Sequence, residues 1–215
     1  MKLYKATVIA MSSLIMITAI IISGCSSTGM ERSKKTSTTM ETMDKDIKIV
    51  ISQLDITGAS LEALMRPNQQ EIKKTYETFK ENVSKMEDKE KDFINHAEEM
   101  KSRGKEYFAE WKQEGNEYKN PQIQALSDQR RNELGSIYDE IAENSIGVKE
   151  AYRVYLSDIR EMQIYLSNDL TSKGIETISP VSKKIRSDGD NLKYSLTNLQ
   201  KAIDRAREEM SQSGR

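Results

Sequence analysis

The chain has 215 residues, 31% of them charged and 6% aromatic, with 3 Pro, 10 Gly, 1 Cys and 1 His and a formal net charge of −1. One cysteine excludes an internal disulfide framework and a Cys-based zinc site, and one histidine excludes a di-metal carboxylate bundle with its repeated Glu-x-x-His. So few Pro and Gly disfavour a turn-rich sandwich or barrel.

The N-terminus reads as an address. Lys2 and Lys5 give a positive start, and Ala6 to Ile22 is uncharged and almost wholly apolar. It runs into Ile22-Ser23-Gly24-Cys25. This pattern resembles a bacterial lipoprotein signal peptide, whose box reads aliphatic, small, Gly or Ala, Cys. The resemblance implies cleavage before Cys25, so residues 1–24 are a signal peptide, and it implies acyl chains on the Cys25 thiol and on the new amino end. Two or more acyl chains, at about 0.8 kcal/mol per buried CH2, hold a domain on a bilayer where one chain does not. The alternative is an uncleaved membrane helix, for which the apolar run is near the lower length limit. Ser26 stands where an Asp favours inner-membrane retention, which in a two-membrane cell implies the outer membrane, facing the periplasm.

Loss of Lys2 and Lys5 leaves 31 basic against 34 acidic residues in the mature chain, a net of −3. That balance gives no electrostatic footprint for nucleic acid. Residues 25–39 are polar and aperiodic and read as an acylated Cys followed by a flexible tether spanning roughly 20 Å, its last residues open to joining a helix.

From Met40 the apolar residues step 3, 4, 3, 4: Met40, Met43, Ile47, Val50, Leu54, Thr57, Leu61, Leu64. That is a coiled-coil stripe and has no meaning in a strand. Arg66-Pro67 stops the helix, and Asn68-x-x-Glu71 reads as a capping box for the next. A second stripe runs Ile72, Tyr76, Phe79, Val83, Met86, Glu90, Phe93, Ala97, Met100, Gly104, Tyr107, Trp111, with Glu90 its one charged member, and its helix is predicted to end near Tyr118-Lys119. Asn120-Pro121 is a cap followed by a first-position proline. The third stripe has Ile123 and Leu126 early, then Leu134, Tyr138, Ile141, Ser145, Val148, Tyr152, Tyr155, Ile159, Met162 and Leu166. A break falls within 168–174. The fourth holds Ile178, Val181, Ile185, Gly189, Leu192, Leu196, Leu199, Ile203, Ala206 and Met210, and its helix starts either near Ser172 or at Ser179-Pro180.

The fold expected for residues 40–212 is therefore all-α, an elongated antiparallel four-helix coiled-coil bundle. Helices of roughly 30, 50, 50 and 35 residues leave the central pair projecting as a two-helix hairpin by about 20–30 Å, tipped by Asn120-Pro121. An oligomeric coiled coil satisfies the same stripes.

Tyr107, Phe108, Trp111, Tyr118 and Asn120 concentrate on that hairpin and are the candidate partner contacts, since Tyr and Trp combine an apolar body with a polar tip. The plainer reading is that the rings close a narrow two-helix core. Glu110-Trp111, Tyr118-x-Asn120 and Ser127, with Asp158, Asn168-Asp169-Leu170 and the Gly174–Ile178 stretch, resemble an uncharacterised family of bacterial envelope coiled-coil proteins, a domain of unknown function that is often lipoprotein-like. The resemblance spans about residues 30 to 210 and brings no activity, cofactor or catalytic residue.

No Gly-rich phosphate loop, His-Glu-x-x-His, Gly-x-Ser-x-Gly or EF-hand spacing occurs. The expectation is a non-enzyme with no cofactor, no metal, no catalytic residue and no small-molecule substrate. It sits on the membrane through Cys25 and acts as a structural or adaptor element toward an envelope protein or a second copy of itself. The alternative is a lipid- or membrane-surface-binding bundle with the aromatic hairpin turned to the bilayer.

Overall fold

The structure, a computed structural model, describes residues 28–66 and 71–212. Ile22, Ser23, Gly24, Cys25, Pro67 and Asn68 lie outside the described residues. Among the described residues there are four helices and no strand: α1 (Gly29–Leu64), α2 (Ile72–Gly115), α3 (Pro121–Asn168) and α4 (Ser172–Gln212). They hold 36, 44, 48 and 41 residues. None is long and apolar enough to cross a membrane. The bundle is the compact unit Ser33–Arg215.

The heptad stripes face inward. Every position of the first stripe from Met40 to Leu64 is buried, including Thr57. Phe79, Met86, Phe93, Tyr152, Tyr155, Leu192, Leu196 and Leu199 fill the middle of the same core. Burying one such side chain stabilises the fold by about 1.5–3 kcal/mol, so the four seams together hold the rod closed. Thr57 is the polar exception. Its hydroxyl donates to the Gln53 carbonyl at 2.7 Å and lies 3.3 Å from the Asn82 carbonyl of α2.

Contacts across the seams fix an antiparallel ring in chain order. His96 Nδ1 of α2 is 2.5 Å from Asp46 Oδ2 of α1. Lys149 of α3 pairs with Glu98 of α2, and Arg160 with Glu87. Lys184 of α4 pairs with Asp158 of α3, and Arg205 with Glu140. The ring closes where Lys193 reaches Asp55 at 2.8 Å, Arg186 reaches Glu62, and Gln200 donates to Asp44 at 2.6 Å. Exposed pairs of this kind contribute about 0–1 kcal/mol each, so their main effect is to select register. α4 presents cations to carboxylates on both neighbours, and a one-residue slip would break both sets.

Four expectations are corrected. The tether is helical from Gly29. Its threonines return their hydroxyls to the preceding turn (Thr38 to Lys34, Thr39 to Thr36), and Thr36, one turn before Met40, is buried. The stripe thus continues backwards through a polar residue that composition hides. The Asn68 half of the expected capping box lies outside the described residues; α2 begins at Ile72, with Glu71 at the cap position and no side-chain capping hydrogen bond from it.

Ile123 and Leu126 are exposed, not core. Stepping back from Leu134 in the same alternation lands on Arg131, Ser127 and Gln124, all partly buried, so the two apolar residues lie off the stripe. Val181 is likewise outward, because the stripe of α4 runs Ile175, Ile178, Ser182, Ile185. α4 starts at Ser172, with Pro180 inside it.

The hairpin projects less than the lengths imply. Arg130 of α3 bonds both the carboxylate and the carbonyl of Glu209 near the end of α4, each at 2.8 Å. Only residues 121–129 of α3 extend past that level, about 13 Å.

Candidate functional site

The far end of the α2–α3 hairpin collects the chemistry-bearing residues. Tyr107 packs edge-on against Phe108 and Trp111, with centroids 5.2 and 5.7 Å apart, and Phe108 packs edge-on against Tyr138 of α3 at 5.1 Å. Such pairs contribute about 0.5–1.5 kcal/mol beyond their buried area. Trp111 Nε1 donates to Ser127 Oγ at 3.0 Å, tying the two helices together. This ring ladder packs the last turns of α2 against α3.

Gly104 makes the ladder possible. A Cβ there would stand 2.4 Å from Tyr138 Cε1, so the glycine is the notch that admits the ring. Burial pushes the Tyr138 phenol far above its usual range, with the neighbouring Tyr107 adding to it. Its hydroxyl has no hydrogen-bond partner among the described residues. Tyr152 and Tyr155, deeper in the bundle, are raised by burial in the same way. All three are neutral phenols at any physiological pH and serve as packing, not as nucleophiles.

Asn120 is a helix cap. Its Oδ1 accepts from the Gln122 amide at 2.9 Å, with Pro121 in the first position of α3. Asn120→Ala is expected to cost about 1 kcal/mol of local stability. Hydrogen exchange at Gln122 should speed up several-fold while amides near Tyr152 keep their rates. Of the five candidate contacts, then, Tyr107, Phe108, Trp111 and Asn120 have internal partners. Tyr118 is 42% exposed and shares the tip segment with the exposed Ile123 and Leu126.

A feature the sequence does not advertise lies beside the ladder. Between α2 and α3 runs a groove of about 650 Å3, from Ala97 and Lys149 at one end to Lys112 and Arg131 at the other. Its walls carry little volume: Ala97, Gly104 and Ala109 from α2 face Gly135, Ser136 and Ala142 from α3. Met100, Phe108, Tyr138, Ile141 and Ile146 are the large apolar residues that line it. The small residues fall at no regular spacing in the sequence, and that they share one wall becomes legible only when the register is known.

The model of a family described as a protein of unknown function (DUF2959) matches residues 32–212. No curated protein and no solved structure matches the chain. The matched span takes in the hairpin, the ladder and the groove, so all three lie within the part that defines the family.

Proposed function

The chain belongs to the DUF2959 family, a family of unknown function, and we propose that it is a bacterial lipoprotein, anchored in the outer membrane through acyl chains on Cys25 and facing the periplasm, whose four-helix rod serves as a structural or adaptor element of the envelope. The observation that carries the reading is Ile22-Ser23-Gly24-Cys25 placed directly after an uncharged apolar run, with the box cysteine the single Cys of the chain. The rod suits the role. Its charged outer faces keep it in water, and its length lets an anchored protein reach a partner away from the lipid surface.

The competing idea of a membrane-binding aromatic hairpin is weaker. Tyr107, Phe108 and Trp111 pack on one another and on α3, which leaves the face of the hairpin without the Trp that such a surface would use.

The test is Cys25→Ser in the full chain. The wild-type protein is expected to sediment with outer-membrane vesicles and to incorporate labelled fatty acid at Cys25. The variant is expected to lose the label and to leave the outer-membrane fraction. Retention of the variant at wild-type level would overturn the anchor. In-cell crosslinking that returns neither a specific envelope protein nor a second copy of the chain would overturn the adaptor role.

A further inference from the structure

We infer that the outer face of α1 is a homodimer seam, on which a second copy of the chain packs its own α1 antiparallel about a twofold axis at the level of Leu54. The inference adds a partner to the proposed role and does not rest on the anchor at Cys25.

Two stripes run along α1. One is the buried seam from Met40 to Leu64. The other lies on the opposite side and also alternates steps of four and three: Lys45, Ile49, Ser52, Ile56, Ala59, Ala63. All but the half-buried Ala63 are exposed, with Ile49 at 48% and Ile56 at 49%. From Ile49 to Ala63 this line carries no charge, in a chain where 31% of residues are charged. The matching outer lines of the neighbouring helices hold exposed charges such as Glu77, Lys91 and Lys105 on α2 and Lys183, Asp190 and Asp204 on α4. A helix surface that meets only water has no need of an apolar line in heptad steps, whereas one that packs on another helix does.

Side-chain size sets the orientation. In an antiparallel pair centred on Leu54, Lys45 lies opposite Ala63, Ile49 opposite Ala59, and Ser52 opposite Ile56. Every layer sets a long side chain against a short one, so the two helices stay evenly spaced. A parallel pair instead sets Lys45 against Lys45, isoleucine against isoleucine and alanine against alanine. That arrangement repels at one end and leaves gaps at the other.

Charge agrees with size. The flank of the line toward α4 carries Lys48, Asp55 and Glu62. In the antiparallel pair each flank meets its own counterpart, which brings Lys48 of one copy beside Glu62 of the other, twice. Both side chains are more than half exposed, at 63% and 51%, and each keeps its partner within the chain, Asp44 and Arg186. Asp55 meets its counterpart near the axis, where Lys193 neutralises each copy. One helix face falls short of the area of an obligate interface, so the pair is reversible and responds to local concentration.

The test is directed disulfide formation in the full-length chain carrying Cys25→Ser, purified in a mild detergent, so that an introduced cysteine is the only thiol. Differently tagged Ile49→Cys and Ala59→Cys chains are mixed and oxidised by air with a copper catalyst. Two thiols give one disulfide, and their electrons pass to oxygen. The mixed dimer is expected at least fivefold above either homodimer, because the antiparallel register holds like positions about 15 Å apart along the axis. Ile56→Glu on both chains is expected to lower the mixed dimer at least tenfold with no fall in melting temperature, since that side chain is half exposed. Ile164→Glu, at an exposed site on α3, should leave it unchanged. Lys48→Glu should lower it about threefold, and adding Glu62→Lys should restore it.

Homodimers of Ile49→Cys at or above the level of the mixed dimer would overturn the seam. So would a mixed dimer indifferent to both Ile56→Glu and the charge exchange. Capture of a different protein by Ile49→Cys in cells, in place of a second copy, would overturn the partner. The protein tested lacks the anchor, so failure of the dimer and failure of the anchor are separate results.

Discussion

Gly174→Ala is expected to lower the melting temperature of the bundle by roughly 3–10 °C, the equivalent of about 1–3 kcal/mol of overpacking in a chain of this size. Helix α4 starts beneath the chain that delivers it. The Thr171 Oγ1 accepts from the Gly174 amide at 3.0 Å while its hydroxyl donates to Asp169 Oδ1 at 2.7 Å, so the turn folds back over the first residues of the helix. A Cβ on Gly174 would stand 2.4 Å from the Asp169 carbonyl oxygen and 2.6 Å from its Cγ. The side chain can swing away, but the carbonyl belongs to the cap of α3, where the Asp169 amide donates to Tyr165.

Relief therefore requires moving one helix end against another. The control is Gly147→Ala, at a helical position where a Cβ meets nothing within 4 Å. It is expected to gain about 0.5–1 kcal/mol, the ordinary advantage of alanine over glycine in a helix. Thermal unfolding by circular dichroism separates the two signs. Equal melting temperatures for both variants would show that the turn is looser than its geometry.

What the sequence made legible, and what it did not, follows from the scale of each feature. A stripe that steps 3, 4, 3, 4 stays on one face whatever surrounds it, so Met40 to Leu64 and Leu134 to Leu166 could be read directly as core. Where apolar identity and stripe phase disagree, phase wins. Ile123, Leu126 and Val181 are apolar but off the line, and the structure turns them outward. Thr36 and Ser182 are polar but on the line; Thr36 is buried and Ser182 partly so.

Asn120-Pro121 was legible because cap chemistry is local. The cross-helix pairs and the groove were not, since they depend on the register between residues 26 to 156 positions apart. Register is a sum of many small terms that no local pattern carries. The resemblance to an uncharacterised family placed the folded region well, about 30 to 210 against a match of 32–212, but it could say nothing of the groove.

Glu90 is the one charged side chain on the α2 stripe, and Glu90→Leu is expected to stabilise the bundle by about 1–2 kcal/mol at neutral pH through apolar burial. It sits between Met86 and Phe93 on the seam, close enough for its charge to act on the Tyr152 phenol. Burial pushes its carboxyl above the ordinary 4.5, the Arg160 guanidinium pulls it down, and the adjacent Glu87 adds to the rise.

The sign of the pH effect follows. The folded chain holds the Glu90 proton more tightly than the unfolded chain. As pH rises from 4.5 through the raised folded value, the unfolded state loses its proton first and stability falls, reaching a plateau above. Asp44 and Glu98 act the other way and lower on the scale. Burial pushes Asp44 up, but hydrogen bonds from Lys48 and Gln200 and the charges of Lys48 and Arg207 outweigh it. The hydrogen bond and charge of Lys149 hold Glu98 down. Their contribution is present above the ordinary carboxyl values and lost as pH falls through their depressed ones.

Since both carboxylates remain in a Glu90→Gln variant, they cancel when it is compared with wild type. The difference in urea unfolding free energy between Glu90→Gln and wild type should therefore be close to zero near pH 4 and grow in favour of Gln up to pH 7. A difference that stays flat across that range would mean that Glu90 reaches water freely and that the stripe tolerates its charge without penalty.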